Sequence, residues 1–99
     1  MSKVYGYCRV ALFSVEEMKQ QCEFLSKHYK IDEFFCDNGV SGLTLGVELE
    51  KLLDILQEGD IVVVKDIARL ARKSDLCFKI TELIERVGAI LIIMDLEKK

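Results

Sequence analysis

The sequence predicts an α/β fold: a three-layer domain in which a mainly parallel four-stranded sheet is flanked by helices. Short β-branched runs alternate with longer segments whose apolar residues recur every three or four positions, the order expected of βαβ units. Two of the runs, Ile61–Val64 and Ala89–Met94, are apolar throughout, as suits strands covered on both faces. Glycines and polar clusters mark the connections, and there is no proline.

Val4–Val10, rich in Val and Tyr, reads as the first strand. Ser14–Tyr29 reads as a helix, because Val15, Met18, Cys22 and Leu25 share one face, and Ser14 with Glu17 has the spacing of a capping box. Ile31–Cys36 reads as the second strand. Asp37-Asn38-Gly39-Val40-Ser41-Gly42 reads as a loop, since Asn and Gly tolerate left-handed backbone angles. Val47–Gln57 reads as a helix with Leu49, Leu52, Leu53 and Leu56 inward. Gly59-Asp60 leads into the buried strand Ile61–Lys65. Ser74–Val87 reads as a third helix, with Cys77, Ile80, Leu83, Ile84 and Val87 inward and Gly88 as its C-cap. Ala89–Met94 is the last strand, and Leu96–Lys99 is expected to fray. The crossovers are expected to be right-handed.

Residues 1–99 read as one domain, and a hydrophobic content of 51% excludes a disordered chain. The net charge of −3 argues against broad DNA affinity, which needs surplus Lys and Arg; a nucleic-acid contact must come from a local patch. No apolar run approaches the roughly 18 residues of a membrane span, and Met1-Ser2-Lys3 opens no signal-peptide pattern. Cys8, Cys22, Cys36 and Cys77 form no Cys-x-x-Cys pair. They read as buried free thiols of a reducing cytoplasm rather than as a metal site. His28 lies near a helix end, where it favours the dipole, and no carboxylate partner for catalysis is apparent. Glu16-Glu17 and Glu48-Leu49-Glu50 read as solvated helix faces.

Chemistry concentrates in two clusters, Tyr5-Gly6-Tyr7-Cys8-Arg9-Val10-Ala11 and Val62-Val63-Val64-Lys65-Asp66-Ile67-Ala68-Arg69-Leu70-Ala71-Arg72. Each is an apolar run ending in guanidinium groups. On parallel neighbouring strands, Arg9, Arg69 and Arg72 share the carboxyl edge, where open α/β sheets bind ligands. A guanidinium fork matches phosphate oxygens, so the expected ligand is phosphate. Arg69 and Arg72, three apart, share a face if helical. No Gly-x-x-x-x-Gly-Lys loop is present, which argues against a nucleoside triphosphate.

These clusters resemble the catalytic domain of the serine site-specific recombinases, the resolvases and invertases. The resemblance rests on Tyr7-Cys8-Arg9-Val10-Ala11, on Gln20 in the first helix, and on Asp37-Asn38-Gly39-Val40-Ser41-Gly42. Gly59-Asp60-Ile61-Val62-Val63-Val64-Lys65 and Ala68-Arg69-Leu70-Ala71-Arg72 complete it, so that it runs from about Val4 to Met94. It implies an enzyme that attacks DNA through a serine hydroxyl, with arginines holding the phosphate and no metal or cofactor. By resemblance, Arg9, Arg69 and Arg72 are the phosphate ligands. The departures concern the chemistry. Ala11 stands at the nucleophile position, and a methyl group cannot form a phosphoester. Ala68 stands at an aspartate position, and Leu45-Gly46-Val47 carries no arginine where the resemblance expects one. The family's long dimerisation helix and helix-turn-helix are not in the sequence.

The expected role is therefore a recombinase-type domain without strand cleavage, acting as a partner or regulatory subunit. DNA binding through the arginines is expected to be weak for the chain alone. Association with itself or with a recombinase subunit is expected, through apolar surface on the sheet edge or around Ile90–Met94. Two alternatives stay open: a catalytic domain inactivated by substitution or truncation, and a small anion-binding α/β module. Ser14 and Ser41 are hydroxyls near the site, but the first reads as a helix cap and the second as a loop residue. Asp66 adjoins the arginines and could partly replace the aspartate, although it is out of phase with position 68.

Overall fold

The computed structural model describes residues 2–41 and 43–97. Its elements are β1 (Val4–Val10), α1 (Val15–His28), β2 (Glu33–Asn38), α2 (Val47–Ile55), β3 (Ile61–Val64), a 3-10 turn (Ile67–Arg69), α3 (Ser74–Arg86), β4 (Ile90–Ile93) and a helical turn, Met94–Glu97. The four strands form one parallel sheet in the order β2-β1-β3-β4.

The period of two decides the layers. Tyr5, Tyr7, Phe35, Val62 and Val64 face one side of the sheet, where Leu49 and Leu52 of α2 and Ile80 and Ile84 of α3 cover them. Cys8, Val10, Phe34, Cys36 and Val63 face the other, against Met18, Cys22 and Leu25 of α1. The result is three layers, with β1 and β3 paired on both sides and buried.

Polar side chains fix the ends of the elements. The Asp37 carboxylate is buried and accepts the Tyr7 hydroxyl at 2.7 Å. It also accepts the backbone N–H groups of Glu48 and Leu49, so that a residue ten positions upstream caps α2. Gly46, the residue at the N-cap position, leaves that space open: a Cβ there would fall 2.0 Å from Asp37 Oδ2. The Asp60 carboxylate similarly joins the Lys3 N–H to the Gln57 N–H. Ser14 Oγ caps α1 by accepting the Glu17 N–H. The reciprocal half of the expected capping box goes elsewhere, because the Ser14 N–H is donated to Asn38 Oδ1. Gly88, at φ 87°, turns the chain out of α3 as expected.

Several boundaries and faces differ from the sequence reading. β2 is shifted two residues forward: Asp37 and Asn38 pair with Arg9 and Val10, because their side chains bond to α2 and Ser14 instead of making a free loop. α2 ends at Ile55, and Leu56 is buried just beyond it. β4 is an edge strand, half-buried and not covered on both faces; it stops at Ile93, and Met94 begins a helical turn. Leu96 and Glu97, expected to fray, lie in that turn, while Lys98 and Lys99 lie outside the described residues. Val15 and Val87, expected inward, are exposed, and Cys22, Cys36 and Cys77 are only half-buried. Ile90 is exposed on the edge strand, but larger apolar exposure lies at Leu12 (83%), Phe13 (71%) and Phe78 (72%).

Asp37→Ala is expected to lower unfolding free energy in urea by about 3 kcal/mol, since it removes a cap and strands a buried hydroxyl. Burial and the hydrogen bond to Asp37 push the Tyr7 phenol well above its ordinary 10.0. A raised folded-state value stabilises below the unfolded value and is lost above it. Wild-type stability should therefore fall relative to Tyr7→Phe as pH rises past 10.0, which paired denaturant titrations would read directly.

Candidate functional site

The carboxyl ends of β1, β2 and β3 bring together the loops 11–14, 39–46 and 65–73. Arg9, near the end of β1, is 4% exposed and lies at their junction. Its Nε donates to the Arg69 carbonyl at 3.0 Å, Nη1 to the Val40 carbonyl at 2.9 Å, and Nη2 to the Ala68 carbonyl. Three of the five guanidinium N–H groups are thus committed to backbone. The main chain of Arg9 is held as firmly. Gln21 accepts its N–H at 3.3 Å and donates to its carbonyl at 3.0 Å, and Arg69 Nη1 donates to the same carbonyl at 2.8 Å.

Arg9 and Arg69 therefore clasp each other through backbone carbonyls. Arg69 also lies beside Asp66, with Nε 3.3 Å from Oδ1; both atoms are buried without an aligned hydrogen bond, so proximity alone makes this an ion pair. Arg72 is exposed at the rim. The three guanidiniums share one electrostatic neighbourhood: burial lowers the Arg9 pKa, and the charges of Arg69 and Arg72 lower it further.

The sequence expectations divide accordingly. The structure brings Arg9, Arg69 and Arg72 to one edge. Arg9 is turned inward as a tie between loops, whereas the phosphate expectation needs its fork directed outward. Gln20 is exposed, and Gln21, the buried neighbour, is the glutamine that engages the site. The helical period could have found it, since Gln21 lies on the buried face with Met18 and Leu25. Ala11 and Ala68 are exposed at the edge, Ser14 Oγ is occupied as a cap, and Ser41 is an exposed loop residue. Asp66 reaches Arg69 from the start of the 3-10 turn, a placement that strand alternation did not foresee. His28, away from this edge at the end of α1, is exposed and bonds through Nδ1 to the Phe24 carbonyl.

Beside the arginines runs an open groove of about 600 Å³, lined by Ile67, Ala68, Ala71, Arg72, Cys77 and Phe78. Its walls are largely apolar, with Arg72, Ser74 and Thr81 as the polar side chains. Leu12 and Phe13, exposed next to Ala11, extend the apolar surface on the β1 side of the edge.

Residues 4–99 match the family model described as "Resolvase, N terminal domain". The Tn917 transposon resolvase of Enterococcus faecalis is 28% identical over 85 residues, covering 86% of this chain and 45% of that protein. The chain thus spans about half the length of that curated relative. A serine recombinase from Sulfolobus solfataricus superposes with a TM-score of 0.78 at 26% identity, over 95% of this chain and 69% of the other. The C-terminal catalytic domain of ISC1926 TnpA, an IS607-like serine recombinase, gives 0.73 at 25%, over 91% and 67%. The first open reading frame of transposon ISC1904, from S. solfataricus P2, gives 0.81 at 24%, over 94% and 67%, and extends the likeness of fold.

The arginines should separate in a stability measurement. Arg9→Met strips three carbonyls of their donor and should cost on the order of 3 kcal/mol. Arg72→Ala, at the exposed rim, should change stability by no more than about 0.5 kcal/mol. Equal losses in chemical denaturation would refute the division between tie and rim.

Proposed function

The chain belongs to the resolvase N-terminal domain family of serine recombinases, and from that premise we propose that it acts in DNA recombination as a non-cleaving domain that partners or regulates an active recombinase subunit. The observation that carries this reading is Ala11, exposed at the carboxyl edge one residue past β1, where the family resemblance expects the attacking serine. Ser14 Oγ, the hydroxyl three residues further on, is taken up in capping α1. Ala68 supplies no carboxylate, and Asp66, two residues before it, is paired with Arg69.

Phosphate contact in this reading falls to Arg69 and Arg72. Arg72 meets solvent directly, and Arg69 keeps its Nη2 group beyond the bonds that clasp Arg9. Arg9 is a positioning residue, setting the loop that carries the other two. Two arginines on a chain of net charge −3 support only weak binding, so DNA affinity comes mainly from the assembly. The exposed Leu12, Phe13 and Phe78 suit a protein neighbour better than a phosphate backbone.

The test combines the chain with a labelled DNA duplex carrying a relative's recombination site, with and without that relative as active subunit. Denaturing gels should show no covalent adduct of this chain in either mixture and a changed product yield when both proteins are present. A phosphoprotein–DNA adduct containing this chain would overturn the proposal. In fluorescence anisotropy at low salt, Arg72→Ala should weaken binding to every duplex alike and reduce the slope of log K against log salt by about one.

A further inference from the structure

Cys8, Cys22 and Cys36 meet on the α1 face of the sheet, Cys8 one residue before Arg9 and Cys36 one before Asp37. Cys8 and Cys36 are directly registered partners on β1 and β2, and Cys22 comes down on them from α1. Cys22 Sγ lies 3.8 Å from Cys8 Sγ and 3.8 Å from Cys36 Sγ, and all three sulfurs lie within 4.8 Å of one another. None is in a disulfide. We propose that these three cysteines bind one thiophilic d10 cation of the Zn²⁺ class.

Geometry and ligand chemistry support this together. A Zn–S bond of about 2.3 Å in a tetrahedral site places its sulfurs about 3.8 Å apart, the spacing already present between Cys22 and both partners. The ligand set is all sulfur, the soft donor that selects such ions over Mg²⁺ or Ca²⁺. Two ligands are fixed by strand pairing and the third by a helix packed on those strands, so little ordering remains on binding. Cys22 also borders an open depression of about 370 Å³ with Glu23, Ser26 and Lys27, the side from which an ion would approach, and a solvent molecule would complete the fourth position.

Binding breaks three S–H bonds and forms three Zn–S bonds; three protons leave and nothing is oxidised or reduced. The cation's charge draws off the thiol protons as the sulfurs bind. Short-range sequence patterns do not reveal the cluster, because its ligands come from three separate elements.

The experiment titrates the reduced chain with Zn²⁺ by calorimetry in two buffers of different ionisation enthalpy, and with Cd²⁺ by ultraviolet absorption. One ion per chain, release of protons and a thiolate-to-metal absorption band are expected. In the Zn²⁺-loaded chain, alkylation should spare Cys8, Cys22 and Cys36 and label Cys77. Cys22→Ser and Cys36→Ser, each checked for native circular dichroism, should lose at least roughly 10-fold in affinity, the loss seen even for outer-shell partners. Cys77→Ser should bind as wild type does. Unchanged affinity in the folded Cys22→Ser variant, affinity no greater than that of the urea-unfolded chain, or a loss on removing Cys77 would each overturn the site.

Discussion

The buried Arg9 guanidinium is the point through which the loops of the carboxyl edge are held together. A charge in so enclosed a place is costly unless its donors are satisfied. Here carbonyls from the β2–α2 loop and from the turn after β3 satisfy it, and its own backbone is gripped by α1 through Gln21. Two strand connections therefore owe their relative placement to a single side chain, and α1 joins them through the main chain of the same residue. The position of Arg69, and through the turn that of Arg72, follows from this arrangement.

The Asp37 carboxylate plays the corresponding role one strand away. It ties the β1 side chain Tyr7 to the first turn of α2, and Gly46 is small because the carboxylate fills the space above it. An arginine at this turn would have to share its surroundings with that cap. Residues 45–47 thus lie in a region where packing has its own demands.

The fold was legible because hydrophobic periodicity is a local signal. The first strand, Val4–Val10, and the helical faces of α1 and α3 read correctly at their centres. Boundaries failed where a side chain reached a distant element: Asn38 looks like a turn residue until it bonds to Ser14, and Leu56 looks helical although the helix ends one residue before it. The site was legible in its residues and not in its geometry. Sequence placed Arg9, Arg69 and Arg72 on one edge, but whether a guanidinium faces solvent or a carbonyl depends on the paths of loops 40–46 and 65–73. The choice between Gln20 and Gln21 was a question of helix phase, and the motif count favoured the exposed neighbour.

The Arg9 tie has a consequence for how such a domain can change over time. Its acceptors at positions 40, 68 and 69 are carbonyl oxygens, which every amino acid carries. The edge is thus built on main chain, and the side chain at position 68 is left out of its construction. The side chain at position 68 can change while the framework around it stays assembled. What that side chain does and what holds the edge together are separable at this position.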